Sequence, residues 1–429
     1  MKISGFKIIF LFLLGSCIAV LSSCFPIQTT TNTNRPVSGP VYNPFIQQLH
    51  PEFYIFHSGM ERTRLYIKLN LAELLFAPLG PNKSNLARIK IEYRIFPFDN
   101  SENLADSSST IFEIKKRKGE TSAISYISIS DKGLHKYYLQ IITRDLLKQT
   151  RSEEFRLVNK DQKGNSQSFM VNFKWMNYPY FSRFFNADDT FRIQYSLTAE
   201  KLYVRYFGSK LPLPAPPYST MVRGELYSFA DSSWIVDGKN EFEFTQKKTG
   251  MYYFQTDTTY KSGLGMFNFG NNFPFIKSSQ SLLEPIEYLA STMEFNQLSN
   301  STNKKLAIDK FWLECGKNNN RARELIRIYY NRAFYANVYF SSFNEGWRTD
   351  RGMIYMIFGP PKTVKKQAGK EIWQYADKMN SKVLQFVFNQ YENPYAENDY
   401  VLERNYDFQQ FWSQAINSWR QGKVYTLFE

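Results

Sequence analysis

Along the first two thirds of the chain apolar and polar residues alternate, and along the last third the apolar positions recur every three to four residues. The stretch "RIKIEYRIF", Arg88 to Phe96, sets Ile89, Ile91, Tyr93 and Ile95 against Arg88, Lys90, Glu92 and Arg94. That period of two is the mark of a half-buried strand. "KGLHKYYLQIITRD" repeats it after a glycine turn, with Tyr137, Leu139 and Ile141 on one side. Such strands, running on through "EEFRLVNK", predict a β-sandwich-like module of immunoglobulin type over residues 49–160, with "DQKGNSQ" (161–167) as the seam behind it. A second β-rich module is expected over 168–278, with strands at "SFMVNFKW", "KLYVRYF", "GELYSF" and "GMYYFQTD" and a proline-rich loop, "PLPAPP", at 212–217. "GLGMFNFG" has Asn268 where a dinucleotide-binding fingerprint needs its third glycine, so it reads as a glycine-rich turn.

From residue 281 the period becomes 3.6. Pro285 suits a first helical turn, and Ile286, Leu289, Ala290 and Met293 follow at helical spacing. Ile308, Phe311, Trp312 and Cys315 mark a second helix closed by Gly316, with Cys315 on its core stripe. A third runs from Arg321 to Ser342. It ends at "NEGWRTDRGMIYMIFGPP", residues 344–361, where polar groups crowd against an apolar run. Gly346 is placed to take a left-handed conformation behind the helix, Trp347 has a ring to bury, and Thr349 and Asp350 can bond nearby backbone amides. "DRG" then turns the chain into a buried strand, Met353 to Phe358, stopped by "GPP". "KTVKKQAGK" (362–370) is a basic loop whose Lys362, Lys365, Lys366 and Lys370 form either a solvated hairpin tip or an anion-binding surface. "EIWQYA", "KVLQFVFNQY" and "DYVLERN" supply strands, and Phe408, Phe411, Trp412, Ala415 and Trp419 line a closing amphipathic helix ended by Gly422. The expected fold is therefore multidomain: two β-sandwich-like modules, then an α+β domain (281–429) of three helices on a small antiparallel sheet.

Composition adds the compartment. Of 429 residues 43% are hydrophobic and 17% aromatic, enough for packed cores. Lys2 and Lys7 precede "IIFLFLLGSCIAVL", which reads as a signal peptide over residues 1–23. It runs into "LSSC", which resembles a lipoprotein lipobox with Cys24 as the lipidated residue; "LGSC" at Cys17 leaves a shorter apolar stretch. Residues 24–48, rich in Thr, Asn and Pro, read as a flexible tether. No other stretch approaches the ~18 apolar residues of a membrane-spanning helix, so the membrane is reached through lipid on Cys24. With Cys17 removed and Cys24 lipidated, Cys315 alone remains and no disulfide framework is expected. The net charge of +14 is scattered along the chain, and an exported protein has no nucleic acid to meet.

Candidate chemistry is sparse. The three histidines, His50, His57 and His135, all precede residue 136, and neither GxSxG nor metal-ligand spacing occurs. Glu345 and Asp350 are the one carboxylate pair in the polar knot, and Arg348 and Arg351 stand near enough to keep both ionised. A structural corner accounts for every residue type there. Catalytic residues, metal and small-molecule cofactor are accordingly expected to be none. Asn337 lies on the apolar stripe of the third helix and needs buried partners. With Arg332 one turn earlier, it is expected to lock the corner.

"GWRTD", in order with "AIDKFWLE", "YYNRAFYAN" and "EIWQYA", resembles the GWxTD domain over about residues 281–425. The resemblance implies an envelope lipoprotein of the Bacteroidota type, with β-rich modules ahead of the signature domain and no assigned activity. Surface-exported lipoproteins of that phylum carry acidic residues after the lipidated cysteine. None follows Cys24 here, so the periplasmic face of the outer membrane is expected rather than the cell surface. The expected function is a non-enzymatic scaffold or interaction component of an envelope assembly, secretion or motility related, with envelope proteins as partners. The alternative is an enzyme or binder of a cell-wall or surface polymer, using exposed aromatics and the Glu345 and Asp350 carboxylates.

Overall fold

The alternating segments pair as antiparallel strands in the computed structural model, which describes residues 37–39, 41–46, 48–59, 61–78, 85–221, 224, 226, 229–376 and 383–425. The signal peptide and Cys24 lie outside the described residues. No helix among these residues is long and apolar enough to cross a membrane.

In the first module Glu52–His57, Arg62–Asn70 and Ser122–Ser130 form one sheet. Asn85–Pro97, Lys136–Asp145 and Arg151–Asn159 form a second, with Ala77–Pro78 and Asp106–Lys115 along Asn85–Pro97. Ile89, Ile91 and Ile95 point into a core shared with Leu65, Ile67 and Ile129 of the first sheet, as the alternation requires. Near the edge of that core His57 is buried, its Nδ1 3.4 Å from the Thr63 hydroxyl and its Nε2 3.3 Å from the Asn159 carbonyl. Thr63 and Tyr137 give their hydroxyl protons to Asp131, which also pairs with Lys160. Burial, and then the nearby Lys160, lower the His57 pKa from 6.5 to about 4. The unfolded chain therefore takes up this proton first as pH falls. Stability from this group is complete above pH 6.5 and drains away toward pH 4, a loss of about 3 kcal/mol. His57→Gln should remove that part of the acid sensitivity in urea melts run between those pH values.

The second module contains the sheets Phe169–Phe173, Thr190–Tyr195, Glu241–Thr245 and Ser232–Asp237, Lys201–Phe207, Gly250–Gln255, Leu264–Asn268, wrapped around Phe191, Val204, Phe242, Phe254 and Met266. "GLGMFNFG" is not a turn. Its Leu264–Asn268 is a strand with all five residues buried, and a Cβ on Gly265 would lie 2.2 Å from the Tyr395 carbonyl oxygen, so glycine lets the following domain approach. A core of Phe207, Met251, Tyr253, Phe267 and Phe343 bridges the two, leaving no seam near residue 280. Of the strand expected at "GELYSF", residues 225, 227 and 228 lie outside the described residues, and Gly224, Leu226 and Phe229 are not in a strand.

The C-terminal region holds six helices among the described residues rather than three: α1 (Ser279–Leu283), α2 (Thr292–Ser299), α3 (Lys304–Gly316), α4 (Asn319–Phe340), α5 (Asp350–Phe358) and α6 (Phe408–Arg420). The helix expected to run through Met293 breaks because Ser291 and Glu294 form a capping box that starts α2, leaving Met293 exposed. Cys315 is buried on α3, and burial pushes its thiol up to about 11. The sheet has the order Val37–Gly39, Thr363–Gln367, Lys370–Ala376, Val383–Gln390, Tyr400–Leu402. Its first strand comes from the segment expected to be flexible tether. Residues 37–39 and 41–42 are instead docked, with Val37 opposite Lys366 and Tyr42 buried in the domain core.

Candidate functional site

The polar knot is built at the crossing of α4 and α5. Gly346 does not adopt the left-handed conformation expected of it. It is required by proximity: a Cβ there would stand 1.9 Å from the Ala336 carbonyl oxygen and 2.7 Å from the Asn337 Cα. Gly352 repeats the device, with a would-be Cβ 1.8 Å from the Gly346 carbonyl oxygen. Gly346 thus lets the corner sit directly on the backbone of α4, and Gly352 lets α5 sit directly on the corner.

Side chains fasten the corner. Trp347 is 1% exposed, gives its backbone N–H to Asn337 Oδ1 at 3.3 Å and accepts the Tyr288 hydroxyl on its carbonyl at 3.0 Å. Asn337 Nδ2 donates to the Pro274 carbonyl at 3.0 Å, so one buried amide ties α4 to the corner and to the chain entering α1. Ser341 Oγ accepts the Gly346 N–H and donates to the Asn337 carbonyl. Met353 to Phe358, expected as a strand after a "DRG" turn, are helical because Thr349 caps α5: its hydroxyl accepts the Gly352 N–H at 3.1 Å while donating to the Gly346 carbonyl at 2.8 Å. Arg332 is half-buried and reaches the other end of that helix, donating to the Met356 and Ile357 carbonyls at 2.9 Å. Burial pushes its pKa down to about 10. Asn337→Leu should cost about 2 kcal/mol, because the Trp347 N–H loses its acceptor in a dry setting; a wild-type midpoint on chemical denaturation would contradict it.

The acids are partnered differently from the sequence expectation. Asp350 accepts Arg404 Nη2 at 2.6 Å, Arg404 Nη1 at 3.1 Å and the Leu402 N–H at 2.8 Å, so its cation is Arg404 and not Arg348 or Arg351. Arg348 pairs with Glu284 at 3.4 Å, and its guanidinium lies 5.0 Å from the Trp347 ring centre. Arg351 is buried against Glu371 at 3.2 Å, over the Tyr400 ring at 4.1 Å. Burial pushes the Glu345 pKa up, with the charges of Lys210 and Arg348 acting against it. Of the four lysines, Lys366 is buried on a strand and paired with Glu154 at 2.7 Å, since Thr363–Gln367 is sheet rather than loop. Lys370 stands 3.6 Å from Glu403, Lys365 is half-buried and Lys362 exposed, so the four do not make one basic surface.

Residues 250–421 match the family model of the GWxTD domain. The chain carries a GWxTD domain. The match opens at the strand Gly250–Gln255, not at residue 281, and so takes in the two strands that pack against Phe343 and Tyr395 of the C-terminal region. No curated protein matches the chain. Among solved structures, the backbone protein of the group B streptococcus pilus 2b is 7% identical over 47% of this chain and 82% of that chain, at a TM-score of 0.14 that carries neither fold nor function.

Sequence reasoning missed Gly352, Arg404, Glu371 and Tyr42. Gly352 alone left a signal, as a glycine heading an apolar run. Beside the GWxTD corner runs a cleft of about 1180 Å³, walled by Glu154, Arg183, Arg351, Tyr395 and Tyr400 among others; Glu345, Trp347 and Asp350 are not on its wall. No group of three or more His, Cys, Asp or Glu placed to hold a metal occurs among the described residues.

Proposed function

We propose that this chain is an outer-membrane lipoprotein, held by lipid on Cys24 and facing the periplasm, that performs no catalysis and serves as a scaffold or interaction component of an envelope assembly of the secretion or motility kind. In this reading the β-rich modules are sandwich-like spacers of immunoglobulin type and the GWxTD domain is the rigid end piece. The observation that carries it is the closure of the signature: Trp347 is buried, Asp350 is taken up by Arg404 and Leu402, and Thr349 caps a helix. A reacting acid needs an accessible face and a pKa set for proton transfer; here the polar groups of the signature are spent on backbone and ion pairs. Partners are then other envelope proteins rather than a cofactor.

The polymer-binding alternative has one observation of its own, the cleft with Tyr395 and Tyr400 on its wall. One experiment separates the two readings: crosslinking and pull-down of the C-terminally tagged full chain from native membranes, with fatty-acid labelling of wild type and Cys24→Ala. Label on wild type alone, with a reproducible set of envelope proteins, is the expected result. Retention on isolated cell-wall polymer with no protein partner would favour the alternative, and an unlabelled wild-type protein would overturn the anchor.

A further inference from the structure

The segment at residues 37–42 is separated from its seat by most of the chain and yet completes the GWxTD domain. Val37, Ser38 and Gly39 pair antiparallel with Lys366, Lys365 and Val364. Three residues after Gly39, Tyr42 is 6% exposed, with its ring centre 5.4, 4.8 and 5.3 Å from those of Tyr339, Phe340 and Trp373. Its hydroxyl donates to Glu371 Oε1 at 2.8 Å, and its carbonyl accepts the Tyr355 hydroxyl at 3.0 Å. The Lys366 ammonium stands 5.3 Å from its ring centre. The seat thus reads both backbone direction and one specific side chain.

The strap reaches the edge through three paired residues and the socket through Tyr42. Pro36 and Pro40 bracket the paired triplet, and proline has no N–H to extend a ladder. The socket keeps its own supports without the strap: Glu371 is fixed by Arg351 at 3.2 Å and by the Trp373 indole N–H at 3.0 Å, and Phe340 packs on Trp373 at 5.2 Å. An edge strand whose outer side is covered by three residues is a ready acceptor for added strand.

We infer that the outer edge of Thr363–Gln367, with the socket formed by Tyr339, Phe340, Tyr355, Glu371 and Trp373, is a strand-acceptor site. Its resident occupant is the chain's own residues 37–42, and it takes the same segment supplied in trans: an extended triplet followed, three residues on, by a tyrosine. The inference rests on this pairing and not on the proposed anchor or scaffold role. Release of the strap leaves the rest of the GWxTD domain folded and uncovers the edge.

The test uses the full chain, as wild type, Tyr42→Ala and Tyr42→Phe, with a fluorescent peptide of the native sequence "PVSGPVYNPFI" (36–46). Amide exchange at those of residues 364–366 whose N–H faces the strap should quicken at least about tenfold in Tyr42→Ala, with Lys370–Ala376 unchanged, and saturating peptide should restore protection. The peptide should bind Tyr42→Ala at least about tenfold more tightly than wild type, whose site is filled, and a peptide carrying Tyr42→Ala should bind neither. Tyr42→Phe keeps the ring and loses the bond to Glu371, so it should fall between the two; if Tyr42→Ala loses protection across the whole sheet, this variant carries the same readouts. Unchanged exchange at 364–366, or peptide binding that is equal or absent in wild type and variant, overturns the site.

Discussion

Replacing Gly346 with alanine should cost the GWxTD domain at least about 3 kcal/mol and leave most of the protein insoluble on expression. The new Cβ would lie 1.9 Å from the Ala336 carbonyl oxygen and 2.6 Å from its carbon. These are backbone atoms of α4, whose Leu325, Ala333, Ala336 and Phe340 are packed on its buried side, so α4 cannot move away without opening the core. Overpacking of a core by a methylene costs about 1–3 kcal/mol when side chains can yield. Here the obstacle is a helix backbone, and the cost moves to the top of that range or beyond. Against a typical total of about 5–15 kcal/mol this is a large share. Gly352→Ala, aimed at the Gly346 carbonyl oxygen, should behave alike. Urea denaturation of any soluble fraction checks both, and a midpoint close to wild type for either variant would show that the corner is looser than its geometry states.

The second large effect is expected at Glu371, which no pattern in the sequence singled out. Its carboxylate is 4% exposed and accepts from Arg351, from the Tyr42 hydroxyl and from the Trp373 indole. Burial works against the charge on Arg351, and Glu371 and then Tyr42 more than offset it, so the Arg351 pKa is raised. Glu371→Leu takes away the counter-charge and leaves a guanidinium that is 3% exposed with the neutral Asn398 and the Tyr400 ring as partners. Breaking a buried pair from one side costs about 3–5 kcal/mol, whereas replacing both partners by apolar groups is often neutral. Glu371→Leu should therefore lose about that much, and Arg351→Met in the same chain should recover most of it. Two equal single losses that simply add in the double variant would mean that the pair is not coupled.

The legible part of the fold was the part written in periodicity. Ile89, Ile91 and Ile95 alternate with charged residues and are buried as a row, and the long helix expected from Arg321 to Ser342 is α4, Asn319–Phe340. Asn337 was found because a polar residue on an apolar stripe has to be satisfied, and its partners are the Trp347 N–H and the Pro274 carbonyl. What failed was decided by contacts distant in sequence. Met353 to Phe358 carries no period, and a short apolar run fits strand or helix equally until the Thr349 cap and the Gly352 contact select helix. Arg404 holds Asp350 across 54 residues, and Tyr42 meets Glu371 across 329. The basic stretch at 362–370 looked like a solvated loop because sequence does not show that Glu154, in another module, lies opposite Lys366. The glycine rule also misled at Gly346: the residue was recognised as obligatory, but for backbone angle instead of for closeness to α4.

In the function proposed above the Gly-Trp-x-Thr-Asp signature builds a fold and does not perform a reaction, and Asp350 tests this most directly. A double-mutant cycle of Asp350→Ala, Arg404→Ala and the double variant, followed by chemical denaturation, measures whether the carboxylate is structural. The bidentate, largely buried pair predicts that Asp350→Ala loses about 3 kcal/mol or more and that the double variant loses little beyond the worse single. Wild-type stability in Asp350→Ala would contradict the account and return the residue to the candidates for chemistry.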